Sequence, residues 1–211
     1  MTLDEHLKLT ELLCSRLCHD LAGPIGAIGT GTELLGDEDM GPDMADEAMA
    51  LLASSAACAS HRLRFLRAAL GSAGGALTQA QLRGLASAFL EQPMSVAESV
   101  VLDWQDGGAV AWTSDEAKLL CNLILTARDC LPRGGSMILR TRQPDLGLWA
   151  ALTVKGLGAT LAESALALEA QGVEGLTPRA AQGYYLALLG QRMSHPIERI
   201  ADKDSVDFRV G

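Results

Sequence analysis

Residues 14–28 read Cys-Ser-Arg-Leu-Cys-His-Asp-Leu-Ala-Gly-Pro-Ile-Gly-Ala-Ile, and within them His19, Asp20 and Pro24 share a helical, otherwise apolar pattern. The chemistry open to such a group is nucleophilic. A neutral imidazole attacks through a ring-nitrogen lone pair, and a nearby carboxylate can fix the tautomer by accepting the other N–H. Asp20 is the candidate carboxylate. Adjacent helical residues do not face each other, so direct contact, a bridging water and a bridging cation all stay open. Arg16, one turn earlier, could give a charge-assisted bond to the oxygens of a phosphoryl group. Proline at 24 has no amide for the carbonyl of Asp20, so the helix should bend one turn beyond His19.

The element that must position these residues is legible. Cys14, Leu21, Ile28 and Leu35 recur every seven residues with Leu17, Cys18 and Ile25 beside them, and this stripe puts His19 on the far side, facing water. The histidine's face also carries Ser15, Arg16, Gly23, Gly26 and Thr30. Apart from Arg16 these are small, so a large partner could approach the ring. Gly23 and Pro24 are therefore structural candidates at the site, beside the chemical trio of His19, Asp20 and Arg16. In the bland reading, His19 is a solvated surface histidine with no role. Metal chemistry competes too, because Cys14, Cys18, Cys58 and His61 form an i,i+4 pair and a Cys-x-x-His pair that a hairpin could join. The helical wheel keeps His19 out of that set. Free cysteines commonly serve as small buried hydrophobes, and no metal is expected.

The 211 residues, 48% hydrophobic and 20% charged, can bury a core of one large or two small domains. No apolar run approaches the length needed to cross a bilayer, and Met-Thr-Leu-Asp-Glu-His has no leader pattern, so a cytoplasmic protein is expected. Five cysteines without framework spacing fit a reducing compartment and no disulfides. The formal charge of −9 opposes direct binding of nucleic acid.

The first helix should run from Leu3 to Leu35 and end at Gly36, with a turn over 37–42. A second should run from Asp43 with Ala48, Leu52, Ser55, Ala59, Leu63, Leu66 and Leu70 on one face. Two striped antiparallel helices leave a seam, and a twofold four-helix bundle would cover it, giving a homodimer through residues 1–70. The alternative is that the hairpin packs on the second half of its own chain. Residues 71–75 read as a flexible joint, and 76–211 as a second domain. That domain should contain helices at 78–92, 117–131, 160–171 and 178–193. The strands should be at 99–104, 109–112, 137–142, 148–155, 197–201 and 206–210, arranged as an α+β sandwich.

With these elements in order, Thr113 to Arg142 resembles the central segment of histidine-kinase ATPase domains, where an Asn-box helix leads through a Pro-x-Gly-Gly turn into a strand. Asn122 matches the first asparagine of that box. Thr126 stands where the family has its magnesium-holding asparagine. Lys155-Gly156-Leu157-Gly158 stands where an adenine-reading Asp-x-Gly-x-Gly is expected, without the aspartate, and residues 176–185 replace the glycine-rich lid. The resemblance implies a retained fold with lost nucleotide chemistry. A helical hairpin joined to such a degenerate ATPase-like domain resembles the ChpT-type bacterial histidine phosphotransferases. That similarity rests on Arg16-Leu17-Cys18-His19-Asp20 with Pro24, continued by Glu33-Leu34-Leu35 and by residues 48–56.

The resemblance implies that His19 accepts a phosphoryl group from the receiver aspartate of a hybrid histidine kinase. His19 would then pass it to the receiver aspartate of a response regulator. Magnesium would sit on the partner receiver, with no cofactor bound here. The other readings are an active histidine kinase, against which the missing aspartate argues, and a non-catalytic docking scaffold for receiver domains.

Overall fold

Thr2 begins the chain's order. Its hydroxyl accepts from the amide of Glu5 while the Glu5 carboxylate accepts from the amide of Thr2, a reciprocal cap that starts α1, Leu3–Leu35. In this computed structural model, residues 1–37, 41–72, 75–91, 99–108, 111–143 and 147–211 are described. Parts of the expected 37–42 turn, the 71–75 joint and the 109–112 strand, and the end of the 78–92 helix, lie outside the described residues. Helix α2, Pro42–Leu70, opens with proline in its first turn, where the missing N–H costs nothing. It returns along α1, and the two approach closely at Gly31, where a Cβ would press on Leu52 and the Ala48 carbonyl.

The second half runs β1 (Leu77–Thr78), α3 (Gln79–Leu90), β2 (Val100–Asp106), β3 (Ala111–Trp112) and α4 (Ser114–Asp129). It continues with β4 (Gly135–Arg142), β5 (Trp149–Lys155), α5 (Glu163–Leu166), α6 (Pro178–Met193), β6 (Ile197–Asp202) and β7 (Ser205–Val210). Thr78 with Gln81, and Thr113 with Glu116, form capping boxes at α3 and α4. The main sheet has the order β2-β4-β5-β7-β6, with β2 and β4 parallel and the other pairs antiparallel. Leu119, Leu120, Leu123 and Ile124 of α4 are fully buried in one core with Met137, Leu139, Leu152, Val154 and Phe208 of the sheet. The fold is thus a mixed α+β arrangement, a helical hairpin followed by a sheet-containing domain.

Two expectations change. The helix expected over 160–171 is only the short α5 followed by a 3-10 turn, Ala167–Glu169. The apolar residues Ala167, Ala170, Val173 and Leu176 recur every three positions, and they follow a tight path beneath Leu9 and Leu12 of α1. The hairpin also does not stand apart. Phe65, Leu66 and Ala69 at the end of α2 belong to the main core, and the start of α1 packs on α6 through Leu12 and Tyr184. Packing within the chain, set against a dimer seam in the sequence, therefore covers two faces of the hairpin. A third face stays uncovered. Leu7, Cys14, Cys18 and Ile25, spaced by seven, four and seven, are all exposed.

Candidate functional site

The site is built from the middle of α1. At 100° per residue Arg16 points away from the uncovered stripe toward the sheet domain, and His19 lies between the two directions. The His19 side chain is 70% exposed, and its Nδ1 is 3.3 Å from Oδ1 of Asp20. Direct contact between neighbours, left open by the sequence, is therefore made. A carboxylate only accepts, so this contact is a hydrogen bond when Nδ1 carries the proton. Nε2 is then the nitrogen with the lone pair, and it has no hydrogen-bond partner among the described residues.

Asp20 is held from beneath. Its Oδ2 accepts from Nε of Arg16 at 2.8 Å. The Nη1 and Nη2 groups of Arg16 donate to the two carboxylate oxygens of Asp129, at 3.0 and 2.9 Å, in a forked pair. Asp129 is the last residue of α4, so this pair ties the histidine's helix to the sheet domain. Burial opposes the charge on Arg16, but Asp129, by hydrogen bond and by charge, and then Asp20 outweigh it and hold the guanidinium above its ordinary range.

This corrects the sequence reading of Arg16 as an exposed neighbour of the ring. Its side chain is buried, and three of its N–H groups are committed to carboxylates. The seven-residue count put it near His19 but did not reveal a partner 113 positions away. The exposed cation is Arg179 instead. A cleft of about 280 Å³ beside His19 is lined by Ser15, Arg16, Glu163, Thr177, Pro178 and Arg179. Arg179 is exposed and makes no hydrogen bond or ion pair among the described residues. Nothing local in the sequence marks it, because its place depends on how α6 packs against α1.

Pro24 lies inside α1 and is buried. The carbonyl of Asp20, left without its helical donor, accepts from Nη1 of Arg62 at 2.6 Å. Gly23 is half-buried, and a Cβ at Gly26 would meet nothing within 4 Å. Of the thiol and imidazole set, Cys14 and Cys18 are exposed and Cys58 is buried. No group of three or more His, Cys, Asp or Glu side chains arranged to hold a metal occurs among the described residues. All five cysteines are free thiols.

The kinase-like motifs are packed shut. Asn122 is fully buried and gives its amide to the carbonyls of Ala69 and Lys118, both at 2.7 Å, while its oxygen accepts from Gln182. Thr126 is fully buried as well. A Cβ on Gly156 would overlap the Gly134 carbonyl, so the turn before β4 and the loop after β5 lie flush. The segment replacing the lid forms the first turns of α6, and there a Cβ on Gly183 would overlap the Ser164 carbonyl of α5.

The chain is similar in sequence and fold to known proteins. The family model described as "Histidine phosphotransferase C-terminal domain" matches residues 81–205. The protein phosphotransferase ChpT of Brucella abortus (strain 2308) is 35% identical over 204 residues, 96% of this chain and 94% of that one. A solved structure described as that of a bacterial phosphotransferase superposes with a TM-score of 0.83 at 34% identity, covering 100% of this chain and 98% of the other. No helix among the described residues is long and apolar enough to cross a membrane. On these grounds, the chain belongs to the histidine phosphotransferase family.

Proposed function

We propose that the protein relays phosphoryl groups between receiver domains, with His19 as the intermediate carrier. The donor is the aspartyl phosphate on the receiver of a hybrid histidine kinase. The Nε2 lone pair of His19 attacks phosphorus, the N–P bond forms, and the P–O bond breaks to leave the receiver's carboxylate. In the second transfer a response regulator's aspartate attacks the same phosphorus and the N–P bond breaks. During the intermediate the ring keeps its Nδ1 proton and carries positive charge, which the Asp20 carboxylate stabilises in place. Magnesium belongs to the receivers, where it neutralises the developing charge.

The single observation carrying this reading is that Nδ1 of an exposed histidine faces a fixed carboxylate while Nε2 stays free. Arg179, in the adjoining cleft, is the cation we assign to the phosphoryl oxygens in place of Arg16. Two copies meeting along Leu7, Cys14, Cys18 and Ile25 would complete a four-helix bundle and leave both histidines outside it. The buried Asn122 amide and the closed Gly134–Gly156 junction favour transfer without ATP.

Incubating the protein separately with a phosphorylated receiver and with ATP and magnesium tests this. An acid-labile, base-stable label on the wild type from the receiver alone is expected, and none on His19→Ala. Equal labelling of His19→Ala would reject His19 as the acceptor. Labelling from ATP would reject the relay-only reading, and no labelling from either source would leave the scaffold reading.

A further inference from the structure

Asp129 takes no part in the transfer chemistry proposed above, yet it is connected to the site by an unbroken series of bonds. Both its oxygens accept from the Arg16 fork, Nε of Arg16 donates to Oδ2 of Asp20, and Oδ1 of Asp20 faces Nδ1 of His19. An arginine whose Nη1 and Nη2 are both held by one carboxylate cannot swing and keeps its Nε aimed at the other, and a carboxylate held at one oxygen presents the second in a fixed direction. The contact to the ring is 3.3 Å, longer than a charge-assisted bond usually is, so small movements of Asp20 decide whether it is made.

We infer that Asp129 is a positioning residue for His19: the end of α4, acting through Arg16 and Asp20, sets which ring nitrogen carries the proton. This gives the sheet domain a part in the chemistry. It supplies the carboxylate that anchors the arginine beneath Asp20. The inference rests on His19 being the acceptor.

The test uses the full chain and needs no partner for its first readout. In the wild type, nitrogen NMR of the neutral His19 ring should show the proton mainly on Nδ1. In Asp129→Asn the balance should move toward the Nε2–H form that free imidazole side chains favour. Phosphotransfer kcat should fall roughly tenfold, the order found when the partner orienting a functional side chain is removed, while KM for the phosphorylated receiver stays unchanged. In an Asp20→Asn background, Asp129→Asn should cause no further loss, because it acts through Asp20. An unaltered tautomer balance in folded Asp129→Asn would overturn the inference, as would full additivity of the two substitutions. If Asp129→Asn does not fold, Arg16→Lys keeps a cation between the carboxylates but lacks the fork. It predicts the same shift on the ring, and an unchanged ring there overturns the inference equally. Labelling of His19→Ala reports separately on whether His19 is the acceptor.

Discussion

Arg62 donates to the carbonyl of Asp20 at 2.6 Å, supplying from α2 the hydrogen bond that Pro24 cannot supply from α1. The break in one helix is thus repaired by the other, directly beneath the histidine. Replacing Arg62 by methionine keeps much of the apolar stem and leaves that carbonyl short of a donor, which should cost about 1–3 kcal/mol. In a Pro24→Ala background, where residue 24 regains its N–H, the same change should cost less. Denaturant titration of the four proteins checks the difference.

Removing the Arg16 side chain should do more than removing the histidine. Arg16→Ala strands two largely buried carboxylates, Asp20 and Asp129, and should lower stability by about 3–5 kcal/mol. His19→Gln alters a side chain that is 70% exposed and should change stability by no more than about 0.5 kcal/mol. Thermal denaturation in parallel distinguishes these outcomes, and equal losses would contradict the burial described for Arg16.

Stability should fall in mild base. Burial pushes the Cys121 thiol up to about 12. Cys130 is pushed up to about 11 by burial and by the charge of Asp129, against an opposing backbone hydrogen bond from Ala162. The unfolded chain loses these protons above about pH 8.5 while the folded chain keeps them, so the unfolded state binds fewer protons and unfolding becomes easier as pH rises. The stabilisation is intact below that pH and is lost as pH climbs toward the folded values. Tyr185, raised chiefly by burial, adds the same sign at higher pH. Urea titrations at pH 8 and 9.5 should show the decline, and Cys121→Ala should reduce its slope.

The uncovered stripe on α1 predicts concentration-dependent chemistry at its own thiols. Cys14 and Cys18 are exposed in the single chain and would be covered when two copies meet. Alkylation of these two should be fast in dilute protein and slow in concentrated protein, with mass spectrometry reading the sites. A rate independent of concentration, together with a monomer mass by light scattering, would reject the bundle.

What could be read from sequence followed the range of the forces involved. The span of α1 depends on residues within a turn or two, and the structure has it where periodicity puts it; the caps that start α3 and α4 at Thr78 and Thr113 are equally local. The order of the remaining elements follows from local signals as well, and that order together with the residues carries the family resemblance. Arg16 was misplaced because a buried cation looks like a surface one until its partner, 113 residues on, is known. Arg179 was missed for the same reason, since only the packing of α6 brings it to the cleft. The segment 160–171 was overextended because residues spaced by three can imitate a helix when read by composition alone.

The long bridge from Arg16 to Asp129 also has a bearing on synthesis. At about 5–20 residues per second, the ribosome makes the arginine on the order of ten seconds before its anchoring carboxylate. Through that interval the emerging helix carries its histidine without the carboxylate that anchors Arg16 beneath Asp20. The complete series of bonds from Asp129 to His19 therefore forms only after the sheet domain has been made and has folded.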